Sequence, residues 1–442
     1  MLVLLDTYDD VARELLQSLA TADLPVTPVV IRYDGELPAG GLNPFVATTG
    51  LSLDGRPVFF DEIPVPPWAE IRQGKERFAQ VLLDGTTIAR IHDEPDAFRQ
   101  VERVEWVLAD GTLTHVDHWD RYGNLFATTY YVSGAAHQTV YRGPSGAQVE
   151  VDHVSRLVTV RETETMRVYG SLAEFVSSFL DQRGLDVQSR GGQVLINSLS
   201  HPLFVMRRRG GPARTTLFWQ EPMPKDVPGN MATELEEPKA LERIVFPSEH
   251  IQRKVAERHP NSALELAYLS HIGQFAEHSG AEPARAFTLT SSDTMPMLQP
   301  LLEAFPHVTF SVAALTLMSD KLHAMARHYP NLEITPRITH AGIRDELARA
   351  ATYLDINRGG HVLDVVKAAY YLGLVVLADD AVAKARDQAL VVGSVEDMSA
   401  RFTEATGSGE DRRRLLDTLH TKNGPLSTPE DYRRVFGARS SA

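Results

Sequence analysis

The first thirty residues alternate between short hydrophobic runs and an amphipathic stretch. Residues 3–5 and 29–31 are apolar runs, and between them Val11, Leu15 and Leu19 recur at helical spacing. Because apolar residues three to four positions apart share one face of a helix, this order predicts strand, helix and strand. Such a unit is the start of a parallel sheet.

The pattern changes from about residue 44, where helical periodicity disappears. Glycine-containing turns recur every eleven or twelve residues, at Asp110-Gly111, Tyr122-Gly123-Asn124, Ser133-Gly134 and Gly143 to Gly146. The stretches between them alternate polar and apolar side chains, as in residues 112–119. Even spacing with an alternation of period two predicts an antiparallel meander that is solvated on one face.

After about residue 165, strands and helices alternate again. A helix is predicted around Phe175, and a loop or hinge at 222–238, where four prolines and a Gly-Asn pair occur. Strands are predicted at 194–196, 203–206, 217–219, 243–246, 286–290, 308–312, 332–335, 352–356 and 374–378. At the C-terminal end, Thr428 is predicted to cap a final helix that has Pro429 at its first position.

The whole pattern predicts an α/β protein of the GT-B type. It has two Rossmann-like domains facing a cleft, and an antiparallel extended β-sheet domain is inserted in the first. The predicted bounds are 1–43 and 166–235 for the split first domain, 44–165 for the inserted sheet, 236–420 for the second domain and 421–442 for a C-terminal helix. Ligands of such sheets bind at the carboxyl ends of the strands, so we look there for site residues.

Composition narrows the function classes. The chain of 442 residues has no cysteine, which removes disulfide frameworks, thiolate nucleophiles and cysteine-bound metals. Its 44 basic and 58 acidic side chains give a formal charge of −14, which argues against sequence-independent binding to nucleic acid. The apolar runs are far shorter than the about 20 residues that cross a bilayer, and the N-terminal run predicts a strand and not a signal peptide.

Several motifs of common enzymes are absent, among them the phosphate loop, the zinc-binding H-E-x-x-H helix, the G-x-S-x-G nucleophile turn and G-x-G-x-x-G. His115 and His118 lie three residues apart on a predicted strand, so they point to opposite faces and are not expected to share a metal. The triplet Arg207-Arg208-Arg209 fits either a phosphate-binding cluster or a solvated turn that ends a strand.

Two segments place polar side chains at predicted strand ends. Trp219-Gln220-Glu221-Pro222 fits a ligand site or, equally, a strand end in a hinge. Thr290-Ser291-Ser292-Asp293 precedes a helix that is predicted to start near Met295. Its hydroxyls and backbone N–H groups fit a diphosphate site, and Ser292 or Asp293 fits a simple helix cap.

Short segments in a fixed order along the chain carry a resemblance to a known family. They are Leu5-Asp6-Thr7-Tyr8, Asp34 to Pro38, Asp61 to Pro66, Tyr122-Gly123-Asn124 with Phe126-Ala127, Asn197 to Ser200, Trp219 to Pro222, Val227 to Met231, Ala313 to Thr316, Met318-Ser319, Tyr329-Pro330-Asn331 and Tyr353 to Asn357. With these segments the chain resembles the stabilising subunit of the accessory-Sec peptide O-GlcNAc transferase.

The resemblance implies a non-catalytic subunit without a cofactor or metal of its own. Its implied partner is a homologous catalytic glycosyltransferase, with which it forms a hetero-oligomer. The pair transfers N-acetylglucosamine from UDP-GlcNAc to Ser and Thr of a serine-rich repeat adhesin before export, and this subunit helps to hold the acceptor polypeptide. The implied location is the cytoplasm, with at most peripheral contact at the cytosolic face of the membrane.

Retaining enzymes of this kind carry two glutamates separated by seven residues, ahead of a Gly-x-Pro-Val strand, which provides a test of the non-catalytic role. Here the equivalent strand starts at Gly373, and counting back places Lys367 or Ala368 at the second glutamate and Gly359 or Gly360 at the first. Neither register gives a carboxylate pair. Asp355 and Asp364 are nearby but displaced, and the loop continues as Arg358-Gly359-Gly360-His361, where the family often has a histidine and an acidic residue.

We therefore predict no catalytic residues and a polar cleft that binds an extended Ser/Thr-rich polypeptide. Its predicted lining residues are Gln220, Glu221, Asn230, Ser291, Ser292, Asp355 and Asn357. The outer face and edge strands of the meander are predicted to contact the partner enzyme. Two alternatives remain open: an active retaining glycosyltransferase that uses a different carboxylate, and a GT-B-like protein that binds a polysaccharide without an enzyme partner.

Overall fold

The computed structural model describes residues 1–74, 78–94, 97–185, 192–210, 215–221, 226–273 and 282–437. The chain divides into two compact units. The first comprises residues 1–13, 24–245 and 259–266, and the second comprises residues 14–23, 246–258 and 267–442.

Strands and helices are numbered in chain order. The strands are β1 (Leu2–Leu5), β2 (Thr27–Val30), β3 (Glu70–Gln73), β4 (Phe78–Leu83), β5 (Thr86–Glu94), β6 (Ala97–Val107), β7 (Leu113–Trp119), β8 (Leu125–Val132), β9 (Ala135–Arg142), β10 (Gln148–Asp152), β11 (Val158–Arg161), β12 (Met166–Tyr169), β13 (Val194–Ile196), β14 (Thr215–Phe218), β15 (Arg243–Phe246), β16 (Glu265–Tyr268), β17 (Glu282–Leu289), β18 (Thr309–Ala314), β19 (Leu332–Pro336), β20 (Ala350–Asp355), β21 (Val375–Asp379) and β22 (Leu390–Val392). The α-helices are α1 (Asp10–Thr21), α2 (Pro44–Thr49), α3 (Leu172–Gln182), α4 (His201–Arg209), α5 (Gly229–Glu236), α6 (Glu249–Arg258), α7 (Leu298–Ala304), α8 (Asp320–His328), α9 (His340–Arg349), α10 (Val365–Tyr371), α11 (Val395–Thr406), α12 (Gly409–Asn423) and α13 (Pro429–Phe436).

The first parallel sheet has the strand order β16-β15-β14-β13-β1-β2. The pairings from β15 through β14, β13 and β1 to β2 are all parallel. Every residue of β1 and β13 is buried, as expected for continuous apolar strands that are covered on both faces.

A ten-stranded antiparallel sheet lies between β2 and β13 in the chain. Its strands, β3 to β12, pair with their sequence neighbours throughout, so the predicted meander is confirmed. One face packs on the α/β part: Phe45 of α2 and Phe175 of α3 form one core with Val149, Val158 and Val160 of the sheet. The turn after β9 comes so close to α2 that a Cβ on Gly143 would lie 2.4 Å from the carbonyl oxygen of Thr49, so only glycine fits there.

The second parallel sheet has the order β19-β18-β17-β20-β21-β22, and every pairing is parallel. The strands β17, β18 and β19 follow one another towards one edge of the sheet, and β20, β21 and β22 towards the other. This is the doubly wound arrangement, in which the order of the parallel strands changes direction at the centre, between β17 and β20. Two separate cores cover its faces, one built around Phe310 and Phe402 and the other around Tyr353 and Tyr370.

Three local predictions are wrong. Residues 203–206, predicted as a strand, belong to helix α4, because a run of four apolar residues suits either element. The predicted loop at 222–238 contains helix α5, while residues 222–225 lie outside the described residues. Helix α7 starts at Leu298 and has no side-chain cap, so Ser292 and Asp293 do not cap it.

The cap of the last helix is confirmed. The Thr428 hydroxyl accepts a hydrogen bond from the Asp431 backbone N–H, the Asp431 carboxylate accepts from the Thr428 backbone N–H, and Pro429 is the first helical residue. Throughout the described ranges, the helices are too short or too polar to cross a bilayer.

Candidate functional site

In the first unit, a charged network lies where β1 and β2 end. Asp6 follows β1 and is only 8% exposed. Its carboxylate accepts hydrogen bonds from Arg32 Nη2 at 2.7 Å and from His201 Nδ1 at 2.9 Å, and its backbone N–H donates to Asn197 Oδ1 at 2.9 Å. Burial alone would raise the pKa of Asp6, but the hydrogen bond from His201 and the charge of Arg32 prevail and lower it. Asp6 is therefore an ionised and firmly held carboxylate at the edge where such sheets bind ligands.

The predicted site residues of the first unit lie at the same edge. Glu221 Oε1 accepts a hydrogen bond from Ser198 Oγ at 2.9 Å. Gln220 Nε2 donates to a backbone carbonyl of α1 at 2.7 Å, and Asn230, on α5, donates to the carbonyl of Leu199 at 3.2 Å. The Oε1 atom of Gln220 is buried and has no hydrogen-bond partner among the described residues. The structure thus brings Glu221 and Asn230 to the segment after β13, and leaves Gln220 with an unused acceptor atom.

The basic triplet lies in the last turn of α4, so neither sequence interpretation, which placed it after a strand, describes its position. Each of the three guanidinium groups has a carboxylate partner. The pairs are Arg207–Glu234 at 2.8 Å, Arg208–Glu174 at 2.7 Å and Arg209–Asp181 at 2.9 Å. These pairs tie α4 to its neighbours α3 and α5, which accounts for the triplet without a phosphate.

In the second unit, a pocket of about 320 Å³ lies after β17 and β18. Its lining is mostly hydroxyl-bearing and apolar: Thr290, Ser291, Ser292, Asp293, Ala314, Thr316, Leu317, Met318, Ser319 and Leu322. The charged side chain of this lining is the acidic Asp293. Because phosphate groups are bound chiefly by cationic or N–H donors, this lining suits a neutral, hydroxyl-bearing ligand better than a diphosphate.

The loop that carries Ser291 and Ser292 is held in place by its own hydrogen bonds. The Ser292 backbone N–H donates to Thr290 Oγ1 at 3.0 Å, and Ser292 Oγ accepts from the Thr294 backbone N–H at 3.1 Å. A Cβ on Gly359 would lie 2.2 Å from Ser291 Oγ, so a glycine there lets the loop after β20 pack against this one.

Asp355 and Asn357, also predicted to line the site, are buried, with exposed fractions of 0% and 1%. The Asp355 carboxylate accepts from Lys384 Nζ at 2.7 Å and from the Lys384 backbone N–H at 2.8 Å. Asn357 Oδ1 accepts from the Gly359 backbone N–H at 3.1 Å. Asp355 and Asn357 are buried and hold the strand-end loops through these hydrogen bonds, whereas Ser291 and Ser292 line the pocket.

Lys367, which stands at one of the two positions expected for a catalytic glutamate, is held in an ion pair. Its Nζ contacts both carboxylate oxygens of Glu14, which lies in the part of α1 that belongs to the second unit. His271 lies beside the pair, with its Nε2 3.8 Å from Glu14 Oε2. Burial, together with the charge of Lys367, lowers the pKa of His271 to about 3, so this histidine is neutral. The position thus carries a cation that is already neutralised within the protein.

The two histidines of β7 are separated as predicted. His115 stacks on Trp106 with ring centroids 5.8 Å apart, and His118 Nε2 lies 3.0 Å from Thr129 Oγ1 on the other face. Over the part of the chain that the structure describes, no group of three or more His, Asp and Glu side chains is arranged to hold a metal ion.

Sequence reasoning missed Asp6, Arg32, His201 and Lys384. A polar residue directly after a buried strand was the available signal for Asp6, which lies within one of the segments that carry the family resemblance. Its partners are 26 and 195 residues away in the chain, so no local pattern links them.

The two doubly wound parallel sheets with an inserted antiparallel sheet define the class of protein: the fold is that of the GT-B glycosyltransferases. Three family models match the chain. They are the GtfB middle domain at residues 69–170, the GtfB third domain at 172–257 and the GftB/GlyA-F C-terminal domain at 286–417.

The chain is 32% identical over 387 residues to the UDP-N-acetylglucosamine–peptide N-acetylglucosaminyltransferase stabilizing protein GtfB of Streptococcus gordonii, covering 85% of this chain and 84% of the relative. The protein of the same name from Limosilactobacillus reuteri is 27% identical over 448 residues, with 100% of both chains covered. A solved structure described as a GtfA/B complex bound to UDP and GlcNAc matches with a TM-score of 0.84 and 27% identity, covering 100% of both chains. This chain belongs to the GtfB family of glycosyltransferase-stabilising proteins.

Proposed function

We propose that this protein is the non-catalytic subunit that stabilises a homologous catalytic glycosyltransferase and binds its acceptor. The complex transfers N-acetylglucosamine from UDP-GlcNAc to Ser and Thr of a serine-rich repeat adhesin before accessory-Sec export. Membership of the GtfB family supports the stabilising role, and the match to a GtfA/B complex supports the hetero-oligomer. The proposed location is the cytoplasm, with at most peripheral attachment to the cytosolic face of the membrane.

The observation that carries the non-catalytic role is the charge at Lys367. A carboxylate that serves the donor sugar must be negative and placed within reach of it. Lys367 is positive and bound to Glu14 instead. The alternative of an active enzyme with another carboxylate finds no support at Asp355, which is buried and paired with Lys384 at 2.7 Å.

Turnover of UDP-GlcNAc on a Ser/Thr-rich peptide tests this function. The assay compares the protein alone, the catalytic subunit alone, and the two together. We expect no turnover from the protein alone, and more turnover and a longer-lived enzyme in the mixture than with the catalytic subunit alone. Turnover by the protein alone would establish the active-enzyme alternative, and a mixture no better than the catalytic subunit would refute the stabilising role.

Acceptor binding is assigned to the polar strand-end loops of each unit. A disordered Ser/Thr-rich polypeptide offers hydroxyls and backbone amides, which hydroxyl, amide and carboxylate side chains can bind without much selectivity. The candidate residues are Gln220, Glu221, Asn230, Ser291, Ser292, Asp355 and Asn357. The last two are buried, so their proposed role is to hold the loops that carry the others. Alanine variants of the first five are expected to weaken binding of a fluorescent Ser/Thr-rich peptide, and unchanged affinity in all of them would refute this assignment.

The outer face and the edge of the ten-stranded sheet are assigned to the catalytic partner. Trp106 and His115 stack on this face, and Tyr130 beside them is 39% exposed. On the edge strand β12, Met166 and Val168 are 59% and 54% exposed. An edge strand also offers unpaired backbone groups to another chain. Exposed apolar side chains on such an edge suit a partner subunit with a sheet of its own.

A further inference from the structure

The first strand of the ten-stranded sheet, β3, forms an open edge. It pairs with β4 and, within the described residues, with no other strand. The Gly74 backbone N–H donates to the Phe78 carbonyl at 3.0 Å, so Ile71 and Gln73, three residues and one residue before it, fall in the non-hydrogen-bonded pairs of this ladder. Their N–H and C=O groups therefore point away from β4, towards the open edge. Such a row of backbone groups is a template for another strand.

The side chains of β3 are complementary to a second copy of the same strand. Around Ile71 the order is Glu70-Ile71-Arg72, with a negative charge before the centre and a positive charge after it. In an antiparallel pairing centred on Ile71, Glu70 of each copy faces Arg72 of the other. Opposite charges in facing positions stabilise an antiparallel pair, and like charges destabilise it. Both side chains are well exposed, at 62% for Glu70 and 65% for Arg72.

The backbone groups fit the same register. Ile71 then pairs with Ile71 of the second copy, and each N–H donates to the carbonyl of the other copy. The Gln73 N–H donates to the Ala69 carbonyl of the second copy, whereas the Ala69 N–H is already bound to the Pro66 carbonyl at 3.1 Å. Ile71 is half-buried against the core that this end of the sheet shares with Phe60. An Ile71–Ile71 contact therefore extends this core from one copy to the other.

A strained and exposed tryptophan lies beside this edge. Trp68 is 92% exposed, and its φ of +69° is the left-handed conformation that bulky residues rarely adopt. It is the third residue of the turn from Pro66 to Ala69, a position where a type II turn favours glycine. The register places it beside Gly74 of the second copy, where no side chain blocks its ring. An exposed tryptophan at a strained position suits contact with another chain.

We propose that β3 binds a second copy of this chain, by antiparallel β3–β3 pairing about a two-fold axis, with Trp68 as an anchor. The inference goes beyond the proposed function, which assigns the opposite edge, β12, to the catalytic subunit. The two edges are nine strand spacings apart, about 40 Å along the sheet, so the contact at β3 leaves β12 open to the catalytic subunit. Because the pairing is symmetric, each contact occurs twice.

Sedimentation equilibrium of the full-length protein, without the catalytic subunit, tests the pairing. We expect the average mass to rise from one chain towards two as the concentration increases to about 100 µM, since so small a contact is weak. Glu70→Arg and Arg72→Glu each place like charges opposite each other twice, and each should weaken self-association by about 10-fold or more. Mixed together, these two variants are complementary again and should associate as the wild type does. Glu164→Arg, in an exposed turn near the opposite edge, is the matched control and should behave like the wild type.

Two further variants test the backbone pairing and the anchor. Gln73→Pro removes an N–H group that faces the open edge and leaves the ladder to β4 in place. Trp68→Gly removes the anchor and relieves the strained conformation. We expect both to weaken self-association, and Trp68→Gly to unfold at or above the wild-type temperature. If Trp68 has a merely structural role, Trp68→Gly should instead unfold at a lower temperature and keep its self-association.

A wild-type protein that stays monomeric at every concentration, or a mixture of the two charge variants that fails to associate, would overturn the proposal. Self-association that Glu70→Arg and Arg72→Glu leave unchanged would overturn it too, because the contact would then lie elsewhere. If the β3 variants lose co-purification with the catalytic subunit while the wild type alone stays monomeric, the edge belongs to that subunit and the proposal is wrong. Should Gln73→Pro fail to fold, the mixture of charge variants decides. The stabilising function is measured separately, by turnover, and stands in each of these cases.

Discussion

At the scale of single residues, buried charges in this protein are enclosed by donors from several elements. Glu234, at the end of α5, is 0% exposed. One carboxylate oxygen accepts from the backbone N–H groups of Lys239, Ala240 and Leu241 at 3.0–3.1 Å, and the other from Arg207 Nε at 2.8 Å. Glu234, in α5, therefore connects the segment 239–241, which precedes β15, to helix α4. This is a structural role.

Glu234→Gln is expected to lower the free energy of unfolding at pH 7 by about 1–3 kcal/mol, because the NH₂ group of glutamine cannot accept the bonds that one oxygen now receives. Burial raises the pKa of Glu234, but these backbone N–H groups and Arg207 lower it below its ordinary 4.5. The stability from this ionised group is present above pH 4.5 and is lost as the pH falls below it.

Urea unfolding at pH 7 and at acid pH measures both effects. The difference between wild type and variant should shrink as the pH falls. Glu236→Gln, at an exposed position of the same helix, is the control and should cost little. A difference that stays constant or grows with acidification would contradict this role of the ionised carboxylate.

Lys384→Met leaves the buried Asp355 carboxylate without its counter-ion. Because breaking one side of a buried ion pair leaves an uncompensated charge, we expect a loss of about 3–5 kcal/mol in the free energy of unfolding. The double variant with Asp355→Leu should recover much of this loss, and Lys321→Met, at an exposed lysine, should have little effect. A loss below about 1 kcal/mol for the single variant would show that the pair is not closed to solvent.

At the scale of elements, the edge strand β12 belongs to the sheet on one side and carries the proposed partner contact on the other. It pairs with β11 on one side, where Val158 and Val160 are buried in the core shared with α2 and α3. Thr159 lies opposite Val168, so the exposed side chains of β12 point to the other face of the sheet. Changes to these side chains leave the core untouched.

The double variant Met166→Lys and Val168→Lys should therefore lose binding to the catalytic subunit while keeping its thermal unfolding temperature. Two ammonium groups cannot be buried against an apolar partner surface without a large cost. Co-purification of the two subunits measures this binding. Val154→Lys, in a neighbouring turn and 72% exposed, is the matched control and should co-purify normally. Normal co-purification of the double variant would remove β12 from the interface.

At the scale of the whole molecule, the ten-stranded sheet shares a hydrophobic core with helices α2 and α3 and does not form a separate domain. Phe45 stacks on Tyr141 of the sheet with ring centroids 4.0 Å apart, and Phe175 packs on Phe45 at 5.5 Å. Tyr33 donates a hydrogen bond to Asp120 at 3.0 Å. The sheet and the first parallel sheet belong to the same compact unit and share these contacts.

Deletion of residues 50–165 is expected to abolish complex formation, but also to destabilise the first unit, since Phe45 and Phe175 lose their partners in the sheet. Calorimetry and binding of a hydrophobic dye should show this loss, whereas the β12 double variant should show none. A deletion variant that unfolds cooperatively at the wild-type temperature would contradict the shared core, and retained co-purification would contradict the role of the sheet in partner binding.

Much of the fold could be predicted because it depends on local pattern. The even spacing of Gly111, Gly123 and Gly134 predicted the meander, because short alternating stretches between regularly spaced turns are typical of hairpin-connected strands. Thr428 and Asp431 were enough for the last helix cap, because both partners lie within four residues. The absence of the two glutamates is likewise a property of the chain itself.

The amino-acid sequence by itself determined the class of fold, the antiparallel meander and the absence of glutamates at the two positions where the resemblance places them. Only the tertiary structure decided that residues 203–206 are helical, because a short apolar run has no period of its own. It alone brought Asp6 to Arg32 and His201, and Lys384 to Asp355. The physical reason is the same in each case: hydrogen bonds and ion pairs act over about 3 Å in space, whatever the separation of their partners along the chain.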